Sequence, residues 1–294
     1  MAEVPIPDHL VAFARARGEA GERWLERLPG LVATLSERWA VELEPPFGDP
    51  PGAAGWLAPG RLADGTPVVL KLAWPHAEAR TEAAGLRCFD GDGAVRLLDA
   101  DEAEFALLLE RVEPGHDLWS VDVDTGAEVT AALLRRLWRP PPAGTAIGTL
   151  AAEVDTWIDR LRDGHPRYPA AAVRAAIDRG RSLADTQPDP VVLHGDLHPF
   201  NILRSSDRGW LAIDPKPLIG DPAYDLAQYL GNRVEGALPA HDPQRELLRQ
   251  IDRFADLLGL DRRRVAGWAA VKAVAWNFGV ADVALFGAID TALA

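Results

Sequence analysis

Three side chains in this sequence have the types and the spacing that transfer of a phosphoryl group requires. Asp196 is followed five residues later by Asn201, and Asp214 lies thirteen residues beyond that. Val191-Val192-Leu193 reads as a short strand leading into a polar loop, His194 to Asn201. Ile202-Leu203 and Trp210 to Ile213 read as two strands of a hairpin with Ser205 to Gly209 as its turn. The two carboxylates and the amide therefore converge at one end of a hairpin, on a loop held by apolar strands, the usual mounting for reactive groups. In phosphoryl transfer one carboxylate orients the attacking hydroxyl, and an Asn and a second Asp hold the Mg²⁺ that neutralises the phosphate oxygens. Those roles fall to Asp196, and to Asn201 with Asp214. The alternative is a plain polar turn after a buried strand. The joint spacing of all three residues argues against it.

The elements that must position this loop follow from the hydrophobic pattern. Residues 8–40 carry helical periodicity (Leu10, Phe13, Ala14; Trp24, Leu25, Leu28; Leu31, Val32, Leu35, Trp39), broken into two helices at Pro29-Gly30. Val41 to Leu43 is a short strand. Trp56 to Leu62 and Thr66 to Leu72 form a hairpin joined at Asp64-Gly65. The glycine-rich turn from Asp49 to Gly55 could lay backbone amides over phosphates or serve only as a turn. His76 to Phe89 reads as a helix, and Val95 to Leu98 and Phe105 to Leu109 as strands. Beyond Asp117 the pattern turns helical: Ala127 to Trp138, Ile147 to Arg162, Ala170 to Asp185, Gln244 to Leu258 and Asp261 to Leu293. Asp221, just before Pro222, suits a helix cap running on to Leu230 or a brace for the loop. Asp225, one turn further in, could face a substrate or serve as a structural acceptor.

The bulk numbers exclude several classes. A net charge of −13 over 294 residues argues against nucleic acid and anionic membrane surfaces, and is compatible with a cationic ligand. The single cysteine rules out an internal disulfide and fits a reducing cytoplasm. The first residues show no basic segment followed by an apolar run, so no signal peptide is expected. Lys272, Asn277 and Asp282 interrupt the most apolar stretch, Val265 to Ile289, which reads as buried helix rather than membrane span. Seven histidines and one cysteine without short paired spacings give no zinc signal.

HGDLHPFNIL, followed by AIDPKPLIGDPAYDLAQYL, resembles the aminoglycoside phosphotransferases, and the whole chain is most similar to the streptomycin 6-phosphotransferase and hydroxyurea phosphotransferase subgroup. The resemblance implies an α+β, bilobal protein-kinase-like fold. Residues 1–112 would form a small β-rich nucleotide-binding lobe with a helical cap over residues 8–40. Residues 113–294 would form a larger, mostly helical catalytic and substrate-binding lobe, with ATP and Mg²⁺ between the two. Lys71, after the strand Pro67 to Leu70, matches the kinase lysine that holds the α- and β-phosphates. A helix carboxylate should pair with it; Glu82 is favoured over Glu78. The main chain of Glu110 and Val112 takes the position that meets the adenine edge. His194 falls where kinases use a histidine to brace the catalytic loop. The implied function is ATP-dependent phosphorylation of a hydroxyl on a small molecule, an aminoglycoside such as streptomycin. Kinases of choline-, homoserine- or sugar-type metabolites, and a kinase-like module that binds nucleotide without turnover, are the alternatives. A protein kinase is disfavoured, because the Asp-Phe-Gly and Ala-Pro-Glu markers are missing.

Overall fold

In the computed structural model, which describes residues 4–48, 54–236 and 242–293, the first apolar stripe folds as two helices, α1 (Asp8–Arg15) and α2 (Glu19–Arg38). The break falls at Gly18, which has φ +63°, and Pro29 lies inside α2. That corrects the expected break at Pro29-Gly30. The reason is a close approach: a β-carbon at Gly21 would sit 1.8 Å from the carbonyl oxygen of Ala14, so the chain must reverse before that point. An interior proline costs a helix about 3 kcal/mol. Trp24 and Leu28 before it, and Val32 and Leu35 after it, are buried and hold α2 together across the lost hydrogen bond.

These helices belong to one of two units, Met1–Gly91 with Val95–Val112. Its sheet comprises β1 (Val41–Leu43), β2 (Gly55–Leu62), β3 (Pro67–Ala73), β4 (Leu97–Asp101) and β5 (Ala106–Glu110). The strands are antiparallel, in the order β1-β2-β3-β5-β4. Trp56, Ala58, Val68, Leu70, Leu72, Ala106 and Leu108 share one core with the buried face of α2. The Thr66 amide donates to the Asp64 carboxylate at 2.9 Å, closing the Asp64-Gly65 turn. Residues 49–53 of the glycine-rich turn lie outside the described residues, so that expectation stands where it was. The stretch after β3 is split: a 3-10 turn, Glu78–Arg80, precedes α3 (Glu82–Phe89). β5 starts one residue later than expected, because Phe105 has φ +55° and cannot extend the strand. β4 starts two residues late. Ala94 bridges to Ala212, and Asp92–Ala94 belong to the second unit.

That second unit, Asp92–Ala94 with Glu113–Ala294, is mostly helical. It contains β6 (Pro114–Asp117), α4 (Val123–Leu137), α5 (Leu150–Leu161), α6 (Ala170–Asp185) and β7 (Val191–Leu193). β8 (Ile202–Ser205), β9 (Gly209–Ala212), β10 (Leu218–Gly220) and α7 (Asp225–Gly236) follow, then α8 (Pro243–Leu258), α9 (Arg262–Ala275) and α10 (Val280–Leu293). Side chains cap several helices: Asp122 on α4, Thr149 on α5, Asp242 on α8 and Asp261 on α9 each accept a first-turn amide. The stretch from Asp261 to Leu293 is two helices, parted at residues 276–279, where Asn277 has φ +59°. α9 is buried on most of its circumference and forms the unit's central helix. Among the described residues, no helix is long and apolar enough to cross a membrane. Two small antiparallel sheets, β6-β8-β9 and β7-β10, carry the polar loop.

Candidate active site

The loop from His194 to Asn201 leaves β7 and returns into β8, and its backbone is clamped from several sides. The amide of Gly195 donates to Asp225 Oδ1 at 2.7 Å, and its carbonyl oxygen accepts from Lys272 Nζ at 3.0 Å. Asp225 Oδ2 also accepts from the His194 amide at 3.1 Å and from Trp138 Nε1 at 3.0 Å. A carboxylate and an ammonium thus hold the two polar groups of one glycine. Both are buried; Lys272 is 0% exposed and lies over the rings of Tyr224 (4.6 Å) and Trp276 (4.8 Å). Burial raises the pKa of Asp225, and the hydrogen bonds from Trp138, Gly195 and His194 pull it the other way. Its oxygens are engaged by the loop amides of His194 and Gly195 and by Trp138, the placement of a structural acceptor.

Gly195 is required by more than its charge partners. It has φ +81°, and a β-carbon on it would lie 1.9 Å from the carbonyl oxygen of Lys216. The amide of Lys216 in turn donates to the His194 carbonyl oxygen at 2.8 Å. His194 itself is fully buried. Its Nε2 lies 3.0 Å from the Ile213 carbonyl oxygen and its Nδ1 3.3 Å from the Asp196 amide. A neutral ring protonated on Nε2 satisfies both contacts. Burial holds the His194 pKa down at about 4 against the opposing pull of Asp196 and Asp214. His194 therefore ties the loop to the segment that carries Asp214.

Asp196 is 5% exposed, and its Oδ2 accepts from Lys216 Nζ at 2.6 Å. Asn201 Nδ2 donates to the carbonyl oxygen of Asp196 at 3.0 Å. That bond fixes which end of the amide is nitrogen and leaves Oδ1 as the end that could meet a cation. The Ile213 amide donates to the Asn201 carbonyl oxygen at 2.9 Å, continuing the pairing of Ile202 with Ala212, so Asp214 is the next residue after the one paired with Asn201. Asp214 is a non-glycine residue at φ +56°. An amide oxygen and a carboxylate are hard donors that suit Mg²⁺. No cluster of three His, Cys, Asp or Glu side chains gathers among the described residues. Two such donors fit an ion that keeps phosphate oxygens and water among its ligands, as Mg²⁺ commonly does.

The other expected residues lie as follows. In the first unit, Lys71 on β3 donates to both carboxylate oxygens of Glu82, at 2.7 and 2.8 Å, and both residues are buried. Glu78 sits in the separate 3-10 turn, with its carboxylate 3.9 Å from His76. The Glu110 amide donates to the Arg96 carbonyl oxygen, and its carboxylate accepts from the Arg96 amide. Val112 closes the unit. In the second unit Asp221 accepts from Ala223, Arg264 Nε and Trp268 Nε1, so it caps the 3-10 turn Pro222–Tyr224 and ties it to α9. None of those partners is in the loop; its support reaches the loop through α9, which carries Lys272. Lys216 and Lys272 went unassigned in the sequence. The signal was there: the chain has three lysines among 31 basic residues, and the third is Lys71.

Comparison with known proteins agrees with this geometry. Residues 38–281 match the family described as aminoglycoside/hydroxyurea antibiotic resistance kinase. A streptomycin 6-kinase of Streptomyces griseus is 38% identical over 277 residues, covering 92% of this chain and 88% of the relative. A hydroxyurea phosphotransferase of Kitasatospora aureofaciens is 36% identical over 299 residues, covering 97% of this chain and 83% of the relative. Among solved structures, a choline kinase of Streptococcus pneumoniae superposes with a TM-score of 0.62 at 15% identity, covering 90% of this chain and 99% of that one. The fold is thus the protein-kinase-like fold of aminoglycoside phosphotransferases and choline kinases. Relatedness along nearly the full length of two phosphotransferases, over a loop built this way, makes the chain a member of the aminoglycoside/hydroxyurea antibiotic resistance kinases, small-molecule phosphotransferases that use ATP.

Proposed function

We propose that this enzyme transfers the γ-phosphoryl group of ATP to a hydroxyl of streptomycin or a closely related aminoglycoside, acting in the cytoplasm. Asp196 orients the acceptor hydroxyl and takes its proton. Asn201 and Asp214 hold Mg²⁺, which neutralises charge on the phosphate oxygens. Lys71, kept in place by Glu82, binds the α- and β-phosphates, and the main chain of Glu110 and Val112 meets the adenine. Residues 1–112 then serve as the nucleotide-binding lobe and 113–294 as the catalytic and substrate-binding lobe. His194, Asp225 and Lys272 keep the loop rigid, so that catalysis is mainly positioning and charge stabilisation.

The observation that carries this reading is the hydrogen-bonded set in which Asn201 Nδ2 is pinned to the Asp196 backbone while Ile213 brings Asp214 alongside. The streptomycin assignment is supported by the 38% identity to a streptomycin 6-kinase and by a net charge of −13, favourable for a guanidinium-bearing acceptor. Hydroxyurea is the second reading, favoured by the relative that covers 97% of this chain. The test is ADP release from Mg-ATP with streptomycin, other aminoglycosides, hydroxyurea, choline, homoserine and simple sugars. Asp196→Asn should lower turnover by roughly 10²–10⁴-fold with nucleotide affinity nearly unchanged. Asp214→Ala should weaken Mg-ATP binding far more than binding of metal-free ATP. Turnover of hydroxyurea alone would replace the antibiotic reading, and full activity in Asp196→Asn would remove the proposed base.

A further inference from the structure

The ion pair on Asp196 has a partner that the phosphotransfer scheme above does not use. Lys216 lies between Pro215 and Pro217. A following proline confines its backbone to extended conformations. Its amide is bonded to the His194 carbonyl oxygen, and its own carbonyl oxygen lies against the Cα of Gly195. From this fixed backbone the side chain passes the Trp276 ring, with Nζ 5.4 Å from the centroid, and ends 2.6 Å from Asp196 Oδ2. The Lys216 side chain is 26% exposed while that of Asp196 is 7% exposed, so the lysine is the more open member of the pair. A lysine recruited only to neutralise a buried carboxylate needs neither a backbone fixed on the loop nor a partly exposed side chain.

We propose that Lys216 is a positioning residue for phosphoryl transfer: it holds Oδ2 of Asp196 so that Oδ1 receives the acceptor proton, and its ammonium faces the transferred phosphoryl group. This rests on Asp196 being the proton acceptor. The carboxylate oxygens share one carbon, so a hydroxyl on Oδ1 and an ammonium on Oδ2 are neighbours. A hydroxyl within about 2.6–3.2 Å of its base, and about 3–3.5 Å from the phosphorus it attacks, therefore brings the phosphoryl oxygens close to Lys216. In the step, the hydroxyl oxygen bonds to the γ-phosphorus and its proton passes to Asp196 Oδ1. The bond from the γ-phosphorus to the β–γ bridging oxygen breaks, and ADP leaves with that electron pair. An ammonium is a compact charge suited to this junction, where a guanidinium fork would have to displace the carboxylate.

The test combines kinetics with a readout that needs no acceptor. In ADP-release assays with streptomycin and with hydroxyurea, Lys216→Ala should lower kcat about 100-fold, with KM for ATP and acceptor changed less than about threefold. Adding propylammonium should restore at least about tenfold of the loss, which a purely structural role would not allow. Lys216→Arg, which keeps a charge and serves if the alanine variant does not fold, should still lose about tenfold in kcat. Unchanged kcat in these variants, with Asp196→Asn inactive, would overturn the proposal while sparing the base; an active Asp196→Asn would instead remove the reading beneath both. If neither acceptor turns over, ¹⁵N-lysine NMR decides. Magnesium β,γ-imido-ATP should shift the Lys216 ammonium resonance, assigned by Lys216→Arg. A Lys71 resonance that moves while Lys216 stays still would overturn the proposal.

Discussion

Gly195 shows at single-residue scale how the loop is fixed. Its amide, its carbonyl oxygen and its Cα each meet a different partner, respectively Asp225, Lys272 and the Lys216 backbone. Alanine there must push its β-carbon into a backbone oxygen and adopt a left-handed φ. Gly195→Ala should therefore lower kcat at least about 100-fold and destabilise the fold by about 2–3 kcal/mol, measured by urea unfolding. An active, equally stable variant would mean that the loop can move aside from Lys216. Asp196, Asn201 and Asp214 stood out as candidates because their chemistry and spacing are local in the chain. Lys216 and Lys272 were not, since their partners lie 20 and 77 residues away and only the fold reveals them. Asp225 was ambiguous for a related reason: a helix position one turn past a cap does not say which way a carboxylate turns.

Elements decide the pairing of Lys71. A continuous helix over residues 76–89 would have put Glu78 and Glu82 one turn apart on nearly the same face. The chain instead breaks at Thr81, so Glu82 opens α3 beside Lys71 while Glu78 stays in the preceding turn. Removing one partner of a buried ion pair leaves the other charge uncompensated, at a cost of about 3–5 kcal/mol. Glu82→Ala should lose about that much stability and also weaken ATP binding. Glu78→Ala should change neither by more than about 0.5 kcal/mol. Differential scanning calorimetry and nucleotide titration separate the two; equal effects would contradict the assignment. The hairpins and long helices were readable from periodicity and turn dipeptides. β6 and β10 were not: β6 reads Pro-Gly-His-Asp and β10 follows Pro215-Lys216-Pro217 and ends on Gly220, residues that signal turns, whereas the equally short β1 and β7 are valine- and leucine-rich. The break at Gly18 was missed because Pro29 is the louder local signal, and the contact that overrules it is tertiary.

Stability as a function of pH belongs to the whole molecule. His194 has a native pKa of about 4 against 6.5 for the free group, so between those values the unfolded chain binds the extra proton. The contribution is fully present above about pH 6.5 and is lost as pH falls towards 4, amounting to about 3 kcal/mol. Urea unfolding at pH 7, 5.5 and 4.5 should show that loss, and His194→Gln should flatten the slope over the same window. Parallel curves would place the acid sensitivity elsewhere. At this scale the sequence was most legible for reaction class and fold, because two unbroken motifs, HGDLHPFNIL and AIDPKPLIGDPAYDLAQYL, carry the family resemblance that implies both. Which acceptor the enzyme prefers was least legible, because the motifs that carry the resemblance specify the transferred group and not the molecule that receives it.

Asp214 sits in a backbone conformation that glycine adopts freely and other residues only at a cost of order 1 kcal/mol. Asp214→Gly should accordingly melt no lower than the parent while losing turnover, as thermal unfolding and the ADP assay would record; a clearly lower melting temperature would show that the carboxylate also supports the fold. Two kinds of selection then pull this one codon in opposite directions. A library screened for heat tolerance alone would drift towards glycine at position 214, and one screened for phosphoryl transfer would keep the aspartate. Comparing the two enriched pools, position by position, would sort residues retained for chemistry from those retained for folding.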